Sequence, residues 1–136
     1  MISYYLKLYV ASLITFLVID FLWLGVVARR FYAKHLGYIL SDKPVWGAAI
    51  AFYLLFVGAA LVFVILPSIQ SNSAGKAILF GALFGLVTYG TYDLTNLALV
   101  RQWPWIVTVV DMCWGALLAA IVSYVGFLAG RFWMPQ

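Results

Sequence analysis

The sequence predicts an all-α fold, a bundle of four transmembrane helices within a single integral membrane domain spanning residues 1–136. Three observations carry this. The chain is 67% hydrophobic and only 9% charged, with a mean hydropathy of +1.08, whereas a soluble domain is about half apolar and a quarter charged. Four segments have the roughly 20 apolar residues that a spanning helix needs. Turn and cap residues separate these segments.

The spans are predicted at about residues 3–28, 45–67, 75–99 and 104–130. In the first, the apolar run from Ile2 to Val27 is too long for the core of a cleavable leader, and no small-residue cleavage site precedes Arg29. For the second, Ser41-Asp42-Lys43-Pro44 offers caps and a first-turn proline, and Pro67 marks the end. Asn72 and Ser73 are candidate caps for the third. Pro104 suits the first turn of the fourth. Between the first two spans, residues 29–43 mix Arg29, Arg30, Lys34 and His35 with Phe31, Tyr32, Leu36, Tyr38 and Ile39. That mixture predicts a short interfacial helix on the headgroups.

Orientation follows from the basic residues. Arg29, Arg30, Lys34, Lys43 and Arg101 fall on one face, and Lys7, Lys76 and Arg131 on the other. This asymmetry predicts cytoplasmic loops at the more basic face and both termini outside. Trp46, Trp103 and Trp105 are expected to form an aromatic belt at the basic face, and Tyr4, Tyr5 and Trp133 one at the other. Asp20 precedes Arg29 much as Asp93 precedes Arg101, so two parallel two-helix repeats are an option.

Composition excludes several classes. One cysteine, Cys113, leaves no internal disulfide and no cysteine metal cluster. The net charge of +4 sits beside apolar spans, which points to topology and anionic headgroups and not to nucleic acid. No phosphate loop, nucleotide fingerprint or nucleophile motif is present, so no catalytic residue is assigned, no cofactor is expected and enzyme activity stays open. Three aspartates with or without His35 make a poor hard-metal site, and none is assigned.

The informative residues are Asp20, Asp93 and Asp111. They are three of only four acidic residues, and each lies inside a span, where an ionisable group is costly unless paired, wetted or protonated. Counted from the span ends, all three fall roughly 9–12 Å below the basic face. Tyr89, Tyr92, Asp93 and Asn96 form one helical stripe, which Gly81 and Gly85 extend as a surface for close helix contact. The first span carries Phe16, Asp20, Trp23 and Val27 on one side, and the fourth carries Thr108, Asp111, Trp114, Gly115 and Leu118. Tyr53 of the second falls at a similar depth.

These residues predict a cleft with a carboxylate floor and walls of Trp23, Tyr53, Tyr89, Tyr92 and Trp114. Asp20, Trp23, Tyr53, Tyr89, Tyr92, Asp93, Asn96, Asp111 and Trp114 are its candidate ligand-binding residues. Three close carboxylates cannot all stay ionised without compensating positive charge, a setting for cation binding or proton transfer. The competing structural reading makes the aspartates bonds between helices.

Ile19-Asp20-Phe-Leu-Trp23-Leu-Gly25, Arg30-Phe31-Tyr32 with Leu36-Gly37, Tyr92-Asp93-Leu94-Thr95-Asn96-Leu97 and Asp111-Met-Cys-Trp114-Gly115 carry a resemblance over nearly the whole chain. It is similar to an uncharacterised family of small bacterial four-helix inner-membrane proteins, a domain of unknown function. The resemblance implies a multi-pass protein of the bacterial inner membrane and inclines the ligand toward something lipid-like.

Three functions are carried forward. The first is binding, with modification an option, of a lipid-like or amphipathic small molecule among the membrane lipids. The second is proton-coupled transport, for which no proline inside a predicted span signals a gate. The third is a scaffold or partner subunit, with homo-oligomer formation open to it.

Overall fold

The computed structural model describes residues 1–134. Four helices are long and apolar enough to cross a membrane: Ile2–Val27, Trp46–Gln70, Ala74–Leu99 and Trp105–Phe132. They are called the first to fourth spans. Their outward faces are apolar, with Leu55, Phe63 and Leu79 exposed by 74%, 71% and 66%. Such surfaces suit lipid, and their backbone groups are satisfied within each helix.

The fourth span is the centre of the packing. It lies along the third for most of its length and also against the first. Glycine permits this approach. A Cβ built on Gly85 would fall 1.9 Å from the Gly115 carbonyl oxygen, and one on Gly81 would fall 2.8 Å from that of Ala119. The first and second spans pair much less closely than the third and fourth, so the two hairpins are not equivalent in packing.

Buried apolar side chains form three layers. Leu8, Leu61, Ile65, Ile69 and Phe127 lie toward the end that holds the termini. Phe16, Phe56, Val57, Leu118 and Val122 form the middle. Leu36, Trp103 and Val107 close the basic end.

Two spans contain a π-helical turn, which the sequence reading did not foresee. The first is α-helical over Ile2–Leu22 and π-helical over Trp23–Val27, where the Ala28 amide donates to the Trp23 carbonyl at 2.7 Å. A π turn holds an extra residue and shifts the register beyond it. Val27, expected on the Asp20 face, is consequently 69% exposed.

The second span is α-helical over Trp46–Ala60, π-helical over Leu61–Ile65 and α-helical again over Leu66–Gln70. Pro67 therefore does not end the helix. A proline ring crowds the carbonyl four residues earlier and offers no N–H, and the π turn just before it accommodates both defects. Ser68 Oγ donates to the Val64 carbonyl at 2.7 Å there.

The cap assignments divide. Ser73 caps the third span, accepting from the Lys76 amide at 3.2 Å. Pro104 is the N-cap of the fourth span and precedes its first turn. The second span starts later than expected, at Trp46, without a side-chain cap. Ser41 instead accepts from the Lys43 amide in a local turn.

The interfacial helix is present over Arg29–Leu36. Its stripe of Ala28, Tyr32 and Leu36 turns inward, with Ala28 and Leu36 buried and Tyr32 packed beside Leu36, Trp103 and Val107. Trp103, expected in the aromatic belt, is buried in this layer, whereas Trp46 and Trp105 are exposed.

Candidate functional site

The first half of the second span, Trp46–Ala60, packs chiefly on the first span, whereas its second half reaches the third and fourth. Between that first half and the rest of the bundle lies a cavity of about 750 Å³. All four spans and the interfacial helix line it. Toward the bundle middle it is bounded by aromatic packing: Phe56 meets Phe84 and Tyr89 at centroid distances of 5.2 and 6.2 Å, and Phe16 meets Tyr53 at 5.4 Å.

Six of the nine expected site residues line the cavity: Asp20, Tyr53, Tyr89, Tyr92, Asp111 and Trp114. Three do not. Trp23 stands behind Trp114, its ring stacked on that indole at 4.3 Å and 6°. Asp93 is fully buried behind the wall, beside the Asp111 carboxyl. Asn96 lies near the Tyr92 hydroxyl on the outer side.

The polar end is a short network. Trp114 Nε1 donates to Asp20 Oδ1 at 3.2 Å. Trp23 Nε1 donates to the Tyr32 hydroxyl at 3.1 Å, and that hydroxyl donates to Asp111 Oδ1. The Tyr53 hydroxyl lies beside Asp20. Trp103 Nε1 donates to Thr108 Oγ1 at 3.1 Å, and Thr108 donates to the backbone carbonyl of Asp93 at 3.3 Å. That last pair fixes the third and fourth spans at the depth of the aspartates.

Asp20 and Asp111 are only 4% and 9% exposed, and none of the partners just named is a cation. Asp93 goes further, since among the described residues only the neighbouring Asp111 carboxyl meets its carboxyl oxygens. Buried acceptors without donors are costly.

Tyr32 was not among the expected site residues. It comes from the interfacial helix, and burial, then its bond to Asp111, push its phenol well above the usual tyrosine range. It therefore stays a donor across ordinary pH. The inward stripe of Ala28, Tyr32 and Leu36 was the signal that could have placed it. Arg29, at the start of the same helix, also lines the cavity. Leu24 joins the lining from the π turn, and Phe52 and Thr88 from the second and third spans. His35 is occupied within its own helix, bonded to the Phe31 carbonyl at 2.9 Å.

The result is a largely apolar, aromatic chamber with hydrogen-bond acceptors at one end and a guanidinium among its lining residues. It can hold an elongated apolar group and present carboxylates to a donating head.

The chain belongs to the family described as "Predicted membrane protein (DUF2177)", whose model matches residues 5–128. No curated protein and no solved structure matches it.

Proposed function

We propose that this membrane protein binds a lipid-like or amphipathic small molecule in the cavity between its second span and the rest of the bundle. The observation that carries this reading is the cavity itself: about 750 Å³, lined by apolar and aromatic side chains, with Asp20 and Asp111 at its polar end. Sites for small molecules combine such an apolar lining with a few placed polar groups. The helix-bond alternative accounts for Asp93, whose carboxyl lies against that of Asp111 on the neighbouring span, but it gives the cavity no role. In this reading the protein lies in a bacterial inner membrane, with the interfacial helix on the cytoplasmic side.

The test is direct. Protein purified in mild detergent is analysed by mass spectrometry for copurified molecules. An amphiphile retained by the natural chain and lost from Asp20→Asn and Asp111→Asn, at unchanged thermal stability, supports the reading. Equal retention in all three leaves the scaffold alternative.

A second reading, proton-coupled transport, gains from one feature. Pro67 lies inside the second span and each of the first two spans carries a π turn. The absence of a break in the helices therefore no longer counts against movement. Substrate-driven proton flux in proteoliposomes, abolished by Asp20→Asn, is what that reading requires.

A further inference from the structure

Resting on the ligand site just proposed, we propose that the occupant is a zwitterion carrying a primary ammonium and a phosphate, as in an aminophospholipid. Its ammonium lies between Asp20 and Asp111, and its phosphate meets Arg29.

Two features of the cavity select the ammonium. Asp20 and Asp111 both border it, and their protein partners are neutral indole and phenol donors. Asp93 stands beside Asp111, and no group other than that carboxyl meets its oxygens. The protein thus places two carboxyls on the cavity lining with a third beside Asp111, and among the described residues no cation is a hydrogen-bond partner of Asp20 or Asp111. Buried carboxylates call for a countercharge, and a ligand ammonium provides it. Tyr89 and Trp114 share the lining, and aromatic side chains near a cation favour it further.

Arg29 selects the phosphate. It is a cation among the lining residues, and it opens the helix that also carries Tyr32. Arg29 lies beyond the π turn and Ala28, on a different helix from Asp20, and borders the same cavity. A head that carries both charges can therefore meet Arg29 and the carboxylates from within one cavity. The apolar walls, including Leu24 and Phe52, take the acyl chain. An anionic head such as glycerol phosphate would satisfy Arg29 but face the carboxylates with no donor of positive charge.

The full chain, purified in maltoside detergent, is offered equal amounts of phosphatidylethanolamine, phosphatidylglycerol and phosphatidylcholine with matched acyl chains. Retained lipid is measured by native mass spectrometry. Phosphatidylethanolamine is expected to exceed phosphatidylglycerol by about tenfold, and the Asp20→Asn/Asp111→Asn double variant to lose that preference. Arg29→Gln should weaken retention of phosphatidylethanolamine while leaving binding of dodecylamine, which has no phosphate, unchanged. Phosphatidylglycerol retained as well as phosphatidylethanolamine overturns the proposal. So does equal retention of phosphatidylcholine, because a trimethylated nitrogen cannot donate to carboxylates.

Ala49→Trp, which fills the cavity from the second span, separates the two levels of failure. If it empties the protein of lipid while the headgroup preference is absent, only the zwitterion is wrong. If it changes no lipid's retention, the ligand site falls as well.

Discussion

Trp23 and Trp114 lie face to face, 4.3 Å apart and 6° from parallel, and each serves the aspartate of the other's helix. Trp114 bonds Asp20 directly. Trp23 reaches Asp111 through the Tyr32 hydroxyl. The first and fourth spans run in opposite directions, and each carries an aspartate three residues before its tryptophan. One helical turn places both side chains on the same face, so two copies of the spacing facing each other become a crossed pair. The indoles thereby stiffen the wall that presents the carboxylates.

The stack should be measurable as a coupling. Trp23→Ala and Trp114→Ala are each expected to lower thermal stability in detergent, and the double variant to lose less than their sum. A double-mutant cycle should return about 1 kcal/mol, the usual size for an aromatic pair beyond its buried area. Strict additivity would mean that the rings lie side by side without supporting each other.

Tyr32 joins the interfacial helix to the site. Tyr32→Phe keeps the ring and removes the hydroxyl that accepts from Trp23 and donates to Asp111. Leaving a buried acceptor without its donor costs about 1–3 kcal/mol. The loss should appear locally, as faster amide exchange over Arg29–Leu36, because Leu36 packed on Trp103 and Val107 is the remaining buried anchor. Unchanged exchange there would show that apolar packing alone holds the helix down.

The pairing of the third and fourth spans depends on glycine at one point above all. Gly85→Ala puts a methyl group 1.9 Å from a backbone oxygen, which cannot move without its helix. The expected cost is about 1–3 kcal/mol. Gly47→Ala is the control, since a Cβ there meets nothing within 4 Å, and it should be neutral or slightly stabilising through helix propensity. Similar thermal midpoints for the two variants would refute the close approach.

The helical class and the nearness of Asp93 to Asp111 were legible because hydropathy and the regular rise of a helix set both. The Gly81–Gly85 contact surface was legible for the same reason. What failed was local register. Val27 left its expected face, and Pro67 passed through the second span, because π turns absorb an extra residue, and nothing in an apolar run marks where one will form. Tyr32 was misplaced for a different reason. A segment of arginines and aromatics looks like a headgroup binder, and only its return against the fourth span gives its stripe a buried partner. Asp93 stands on the stripe of Tyr89 and Tyr92, but the stripe could not show that Asp111 would border the cavity and Asp93 would not.

Asp93 separates structural from ligand roles. Its carboxyl is fully buried and has only the Asp111 carboxyl beside it, so at most that one contact offsets its desolvation cost. Asp93→Asn should therefore leave the thermal midpoint unchanged or raise it. It should also alter ligand retention less than Asp111→Asn, which acts on the cavity wall itself. A clear loss of stability in Asp93→Asn, with retention intact, would assign Asp93 to holding helices together.

Topology follows from charge and can be tested without a ligand. Five lysines and arginines flank the spans on the side of the interfacial helix, against three on the side of the termini. Basic residues close to span ends are retained in the cytoplasm, so the interfacial helix should lie there and both termini outside. A reporter active only outside the cytoplasm, fused after the fourth span, is expected to be active, and one active only in the cytoplasm to be silent. Replacing Arg29 and Arg30 with glutamine removes two of the five, leaving three against three, and should produce a mixed population in which both reporters work. Strong cytoplasmic reporter activity in the natural sequence would invert the orientation and place the interfacial helix on the outer side.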